Sequence, residues 1–327
     1  MFDRSKKFGL GMVGALALAG TALGSSARAQ VALTPAGAAL FTLSTFADGF
    51  PTVSTVGPLG IGFRNDGAVV VSDDPGNVRV FPTDTDNQHA GSVVIGQNYG
   101  AGNAVGIAKA SGNLYLSRQS IGDLVQINTD GTFNQVIVSG MPTATGVIGN
   151  PNNGHVFVTA IGSGIIYDVD PIAKTKAVFE NVVADGLSTD GTTLFAAVGG
   201  QILGYNLVSK AQTFASGAIP GGADGAALGL GTLAGNIFVN TNSGTVFEIN
   251  TTTLLQTLIA SGGSRGDFAT VDPNGSLLIT QTGIIQRLTP LGGGTFVVTP
   301  EPGMLGLFTS VGFCGLAGLV RRRRARK

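Results

Sequence analysis

One unit recurs six times between residues 60 and 290, and it constrains the fold of this 327-residue chain more than any other feature. Each copy is anchored on a turn ending in glycine: Gly67, Gly112, Gly154, Gly191, Gly235 and Gly275, spaced 45, 42, 37, 44 and 40 residues apart. A β-branched, apolar run follows each anchor, at 68–72, 113–117, 155–159, 193–197, 236–240 and 276–280. After a short turn comes a second such run, at 78–81, 124–128, 165–169, 202–206, 246–250 and 284–288. Before each anchor lies a glycine-containing strand of small apolar residues, at 59–63, 104–108, 145–148, 186–189, 227–230 and 268–271. Turns such as Asn65-Asp66-Gly67 and Asn152-Asn153-Gly154 demand a positive φ and read as hairpins.

Repeats near 40–45 residues with several short strands each predict an all-β fold, a six-bladed β-propeller. A stacked β-solenoid would have rungs of roughly 20–25 residues. Val69-Val70-Val71 and Ile237-Phe238-Val239 are unbroken apolar runs. Strands read that way when both faces of the sheet are covered, as stacked blades require. Glycine in the innermost strand suits the centre, where six backbones converge. The strand 41–46 precedes the first unit and is expected to complete the last blade, closing the ring. Residues 295–298 compete for the same place.

Charge divides the chain into three. The whole carries 19 basic and 19 acidic side chains, but residues 30–299 hold only nine basic against seventeen acidic. The body is acidic and its Lys and Arg are scattered, which argues against a nucleic-acid partner. One Cys excludes a disulfide framework, and two His exclude a His-rich metal centre.

The basic groups concentrate at the ends. Residues 1–29 read as a secretory signal peptide: Arg4, Lys6 and Lys7, an apolar stretch, then a small-x-small site at Ala27 and Ala29 that places the mature start at Gln30. Residues 300–327 hold Pro300, Glu301 and Pro302, an uncharged run 303–320, and a basic tail 321–327. That run would be about 27 Å long as a helix, near the thickness of a bilayer core. A single transmembrane helix is therefore expected there, with the tail cytoplasmic and the body exported. This three-part ending resembles the PEP-CTERM sorting signal of Gram-negative bacteria. The resemblance implies processing at Pro300-Glu301-Pro302 by an exosortase-type protease. It also implies passage through secretion machinery, transient membrane anchoring, and a destination at the cell surface or in an extracellular polysaccharide matrix.

The first unit carries a second resemblance. Val69-Val70-Val71-Ser72-Asp73 followed by Asn77-Val78-Arg79-Val80-Phe81 resembles the NHL repeat and the gluconolactonase-like (SMP-30-type) propellers. The other five units lose the Asp and Arg. The resemblance implies a shared architecture, and in its lactonases a divalent metal held in the central channel by Glu, Asn and Asp.

No such carboxylate set can be assembled from sequence. The body has two Glu, Glu180 in a connector and Glu248 facing outward from a strand. Asp73 and Asp74 are the best acidic pair, and Asp66 and Asp190 serve turns. Asp84-Thr85-Asp86-Asn87 begins like a calcium loop, but His89 and Ile95 stand where an EF-hand needs Gly and Glu. Weak binding of a divalent cation such as calcium is the only alternative there to no cofactor. Arg265-Gly266-Asp267 reads as a loop, and His89 and His155 have no ligand-spaced neighbours. No catalytic residue is assigned. The expected function is a non-catalytic surface or matrix propeller presenting loops to a ligand; the alternative is a metal-dependent, lactonase-like hydrolase.

Overall fold

The computed structural model describes residues 30–298. The expected leader with Ala27 and Ala29, the Pro300-Glu301-Pro302 motif, the run 303–320 and the basic tail lie outside them, and Gln30 is the first residue within. Among the described residues no helix is long and apolar enough to cross a membrane.

The strands form six separate sheets, each built around at least three strands consecutive in sequence, which excludes the solenoid. From the inside outward, blade 1 comprises Pro58–Phe63, Val69–Asp73, Asn77–Phe81 and Val94–Asn98. Blade 2 comprises Ile107–Ala110, Asn113–Arg118, Asp123–Ile127 and Phe133–Ser139. Blade 3 comprises Ala144–Gly149, Val156–Ala160, Ile165–Asp170 and Thr175–Glu180. Blade 4 comprises Leu187–Thr189, Thr193–Val198, Gln201–Asn206 and Gln212–Ala215. Blade 5 comprises Ala223–Leu230, Asn236–Thr241, Val246–Asn250 and Gln256–Ser261. Blade 6 comprises Ala269–Val271, Leu277–Gln281 and Ile284–Pro290, with Phe41–Asp48 as its fourth strand.

The six-bladed expectation therefore holds, and the N-terminal strand closes the ring. Phe41 pairs with Pro290 and Ala47 with Ile285 in antiparallel register. The competing segment goes elsewhere. Thr295–Phe296 pairs with Gly229 and Leu230, beside the innermost strand of blade 5. There Phe296 is inserted against Phe41 and Phe238, with ring centroids 5.9 and 5.2 Å away. A second N-terminal tie, Ala32–Leu33, extends the outer edge of blade 5.

The apolar runs behave as continuous runs should. Val69 and Val71 pack with Phe46, Phe81 and Leu278 at the junction of blades 6 and 1. Val70, pointing the other way, packs with Ile107, Leu114 and Leu116 of blade 2. Alternate residues of one strand thus fill two different inter-blade cores. The six anchor glycines all sit at φ between +77° and +86°, apart from Gly154 at +76°, as their turns demand.

Candidate active site at the channel mouth

Each innermost strand enters the ring through a narrow neck, and the sequence there repeats. The neck residues are Gly60, Gly106, Gly146, Gly186, Gly225 and, in blade 6, Phe268. At Gly146 a Cβ would stand 2.1 Å from the Asp185 carbonyl, and at Gly186 1.9 Å from that of Asp224. The blades approach too closely there for a side chain. A polar side chain on the second strand stitches the neck together. Ser72 accepts from Gly60 N at 2.9 Å and donates to the Val105 carbonyl of blade 2 at 2.6 Å. Thr159 accepts from Gly146 N at 2.7 Å and donates to the Asp185 carbonyl of blade 4 at 3.0 Å. Asn240 reaches from blade 5 to the Phe268 carbonyl of blade 6 at 3.1 Å.

The residue just before each neck position faces the end of the channel where the innermost strands begin. Around the ring these residues are Leu59, Val105, Thr145, Asp185, Asp224 and Asp267. One side of this mouth is apolar and the other acidic, with three consecutive blades each contributing an aspartate. Arg265, two residues before Asp267, joins them; its Nε donates to Asp267 Oδ1 at 2.7 Å. The Arg265 loop is pinned from blade 5, where Gly266 N donates to the Thr241 carbonyl at 3.2 Å, and from blade 6. Gln281 accepts from Ser264 N at 2.9 Å, and Thr280 Oγ1 accepts from Phe268 N at 2.8 Å.

Asp224 is the least satisfied member. It is only 2% exposed, and its Oδ1 has no hydrogen-bond partner among the described residues. Burial, and then the charges of Asp185 and Asp267, hold its carboxyl well above the ordinary range, against a hydrogen bond from Asn242 and the pull of Arg265. Burial and then Asp267 push Asp185 up to about 6, against Arg265 and a hydrogen bond with Thr145. Asp267 is raised by burial although Arg265 opposes it. Burial works against the charge on Arg265, but Asp267, Asp224 and Asp185 together hold the guanidinium above its usual value. One guanidinium therefore faces three carboxylates.

The resemblance to the gluconolactonase-like propellers implies a divalent cation in the central channel. Among the described residues no group of three or more His, Cys, Asp or Glu is gathered to hold a metal. The fit rests on a smaller oxygen set: the unpartnered, buried Oδ1 of Asp224, the Asn242 side chain beside it, and the neighbouring Asp185. Carboxylate and amide oxygens in an over-acidic pocket suit a hard cation such as calcium or magnesium.

Below the neck the channel widens into a chamber of about 350 Å³. Its wall includes Ile61, Ile107, Val147, Leu187 and Val271, and Val297 and Val298 stand at its far end. Val297 N donates to the Leu228 carbonyl at 2.8 Å, fixing the chain there.

The residues singled out from sequence are mostly elsewhere. Asp73 is turned into blade 1, where it accepts from Asn77 N at 2.8 Å and from Arg79 Nε at 3.1 Å. Asp74 alone of that pair lies near Arg265. The calcium-like loop is an arginine clamp: Asp84 and Asp86 accept from Arg287 at 2.6 and 2.8 Å, and Asp272 is its third carboxylate. Asp190 serves its turn, accepting from Thr192 N and Thr193 N. Glu180 ends the outer strand of blade 3, and Glu248 accepts from Asn236 at 2.7 Å. Both His do have acidic neighbours, brought across strands: His89 with Asp48 at 2.6 Å and His155 with Asp168 at 2.9 Å. Asp185 and Asp224 carry no motif that marks them in the sequence, and the Arg265-Gly266-Asp267 segment, which reads as a loop, supplies the charge at the mouth.

No protein-family model matches the chain, and no curated protein matches it in sequence. Solved structures match its fold. A gluconolactonase from Xanthomonas campestris is 16% identical, with 80% of this chain and 95% of that one covered and a TM-score of 0.59. A luciferin-regenerating enzyme is 14% identical, covering 80% and 99%, with a TM-score of 0.59. A Thermus thermophilus protein described as a glucose dehydrogenase is 16% identical, covering 76% and 100%, with a TM-score of 0.55. Identities this low establish the six-bladed gluconolactonase-like architecture. This likeness overturns the expectation of a non-catalytic, loop-presenting matrix protein.

Proposed function

We propose that this protein is a lactonase-like hydrolase whose reaction takes place at the channel mouth. The observation that carries the reading is the buried Asp224 carboxylate with an unpartnered oxygen, set between two further aspartates and an arginine. Leaving such an oxygen unsatisfied costs free energy in the resting protein, and functional sites are where that cost is tolerated. Asp224 and Asn242 would hold a divalent cation, with Asp185 as the neighbouring carboxylate. When bound, the cation would polarise a lactone carbonyl. Asp185 would take the proton of the attacking water and return it to the ring oxygen as the acyl C–O bond breaks, and its carboxylate is steadied by the Thr145 hydroxyl. The Arg265 guanidinium would stabilise the negative charge that develops on the carbonyl oxygen. The neck glycines hold these groups on backbone that has no room to move.

The test is cation-dependent turnover. Purified protein treated with EDTA should lose lactone hydrolysis and regain it with calcium, magnesium or manganese. Turnover that survives complete chelation would remove the cation from the reading.

We also propose that the chain is exported and sorted as its ends suggest: cleavage before Gln30, transient anchoring through 303–320, and processing at Pro300-Glu301-Pro302 by an exosortase-type protease. Within the described residues the body is tied from Val31 onward, its N–H donating to the Gln286 side chain at 2.9 Å. Mass spectrometry of the exported protein should find Gln30 at one end and no basic tail at the other. A mature chain ending at Lys327 would contradict the processing step.

A further inference from the structure

The channel joins two environments along the same strands. Asp185 stands two residues before Leu187, Asp224 two before Ala226, and Asp267 two before Ala269; the three later residues line the chamber. Two residues of strand span about 7 Å. The carboxylates and the apolar wall are thus successive levels of one passage. A cavity of about 150 Å³ lined by apolar side chains suffices for a benzene ring; this chamber is more than twice that size. A polyhydroxylated ligand would need many polar partners; the wall is mainly apolar, with Ser188, Thr189 and Thr270 on it and Asn65 and Lys109 toward the hairpin end. Of these, Ser188 is 9% exposed, and its hydroxyl has no hydrogen-bond partner among the described residues. The acidic mouth also disfavours a substrate that carries its own carboxylate.

From this we infer that the substrate is an uncharged lactone bearing an aliphatic chain, with its ring at Asp185 and Asp224 and its chain in the chamber below the neck. The inference rests on the hydrolase reading and adds the substrate class. An oxygen substituent on the chain would meet the Ser188 hydroxyl.

The experiment compares γ-butyrolactone, γ-octalactone, γ-decalactone and glucono-δ-lactone in the presence of a divalent cation. The expected kcat/KM rises by up to about fourfold per methylene until the chamber is filled, and γ-decalactone outruns glucono-δ-lactone. Thr270→Trp, which places an indole in the chamber wall away from the carboxylates, should abolish the chain-length dependence while leaving γ-butyrolactone turnover unchanged. Val271→Phe, elsewhere on the wall, provides a second obstruction should Thr270→Trp fail to fold. Decanol should raise the melting temperature of the unaltered protein and not that of the obstructed variant. A flat chain-length dependence, or a preference for glucono-δ-lactone, overturns the inference and leaves the hydrolase reading standing. If no lactone is turned over, the hydrolase reading fails, and decanol binding still decides whether the chamber takes an alkyl chain.

Discussion

Asp224 shows how one residue acquires a chemistry that its type does not guarantee. Seventeen acidic residues lie in the body, and most have ordinary employment in turns or ion pairs. Asp224 differs because its backbone is fixed at the neck, its side chain is buried, and Asp185 and Asp267 crowd it. Its position was legible in principle. Aligning the six units on the neck residues, rather than on the hairpin glycines, puts Asp185, Asp224 and Asp267 at one position of three consecutive blades. The hairpin glycines lie at the opposite end of the innermost strands, so a search anchored on them looks away from the mouth. Gly186 gives the test at this scale. A Cβ there would meet the Asp224 carbonyl at 1.9 Å, so Gly186→Ala must displace a blade. We expect a loss of about 1–3 kcal/mol in chemical denaturation, with a matching fall in activity. A variant as stable as the parent would show that the neck is not closely packed.

Among the elements, blade order and closure were readable because glycine turns and β-branched runs encode local hairpins. Strand boundaries in the structure fall within a few residues of those expected, and Phe41–Asp48 closes blade 6 as its sequence suggested. What could not be read was which charges pair across strands distant in sequence. Arg287 is the case in point. It lies 203 residues from Asp84, yet its guanidinium is shared among Asp84, Asp86 and Asp272 and rests over the Phe46 ring at 5.5 Å. This clamp ties the outer loop of blade 1 to blade 6 beside the closing strand. Removing one partner of a buried ionic cluster leaves the others uncompensated. Arg287→Met is therefore expected to cost about 3–5 kcal/mol, measured by urea denaturation. A loss below 1 kcal/mol would mean that the clamp is incidental to closure.

At the scale of the whole molecule, the acidic mouth ties stability to pH. Asp185 titrates near 6 in the folded protein, and Asp224 well above the carboxylate value of 3.8. Raised values mean that the folded state binds protons more tightly than the unfolded chain. The stability this contributes is full below about pH 4 and is lost as the pH rises through 6 and beyond. Asp130 and Asp170 shift the opposite way, but both are surface turn residues and weigh little. The cation-free protein should accordingly melt higher at pH 5 than at pH 8. A divalent cation should restore the loss at pH 8, and Asp224→Asn should flatten the profile. A cation-free protein that melts higher at pH 8 would show that the mouth carboxylates do not dominate. The central claim, that this mouth is a hydrolytic site, is tested most directly by initial rates of γ-lactone ring opening for the unaltered protein and for Asp224→Asn at equal folded concentration. The expected result is turnover by the unaltered protein, reduced on the order of a hundredfold or more in the variant; equal rates, or no ring opening by either, would contradict it.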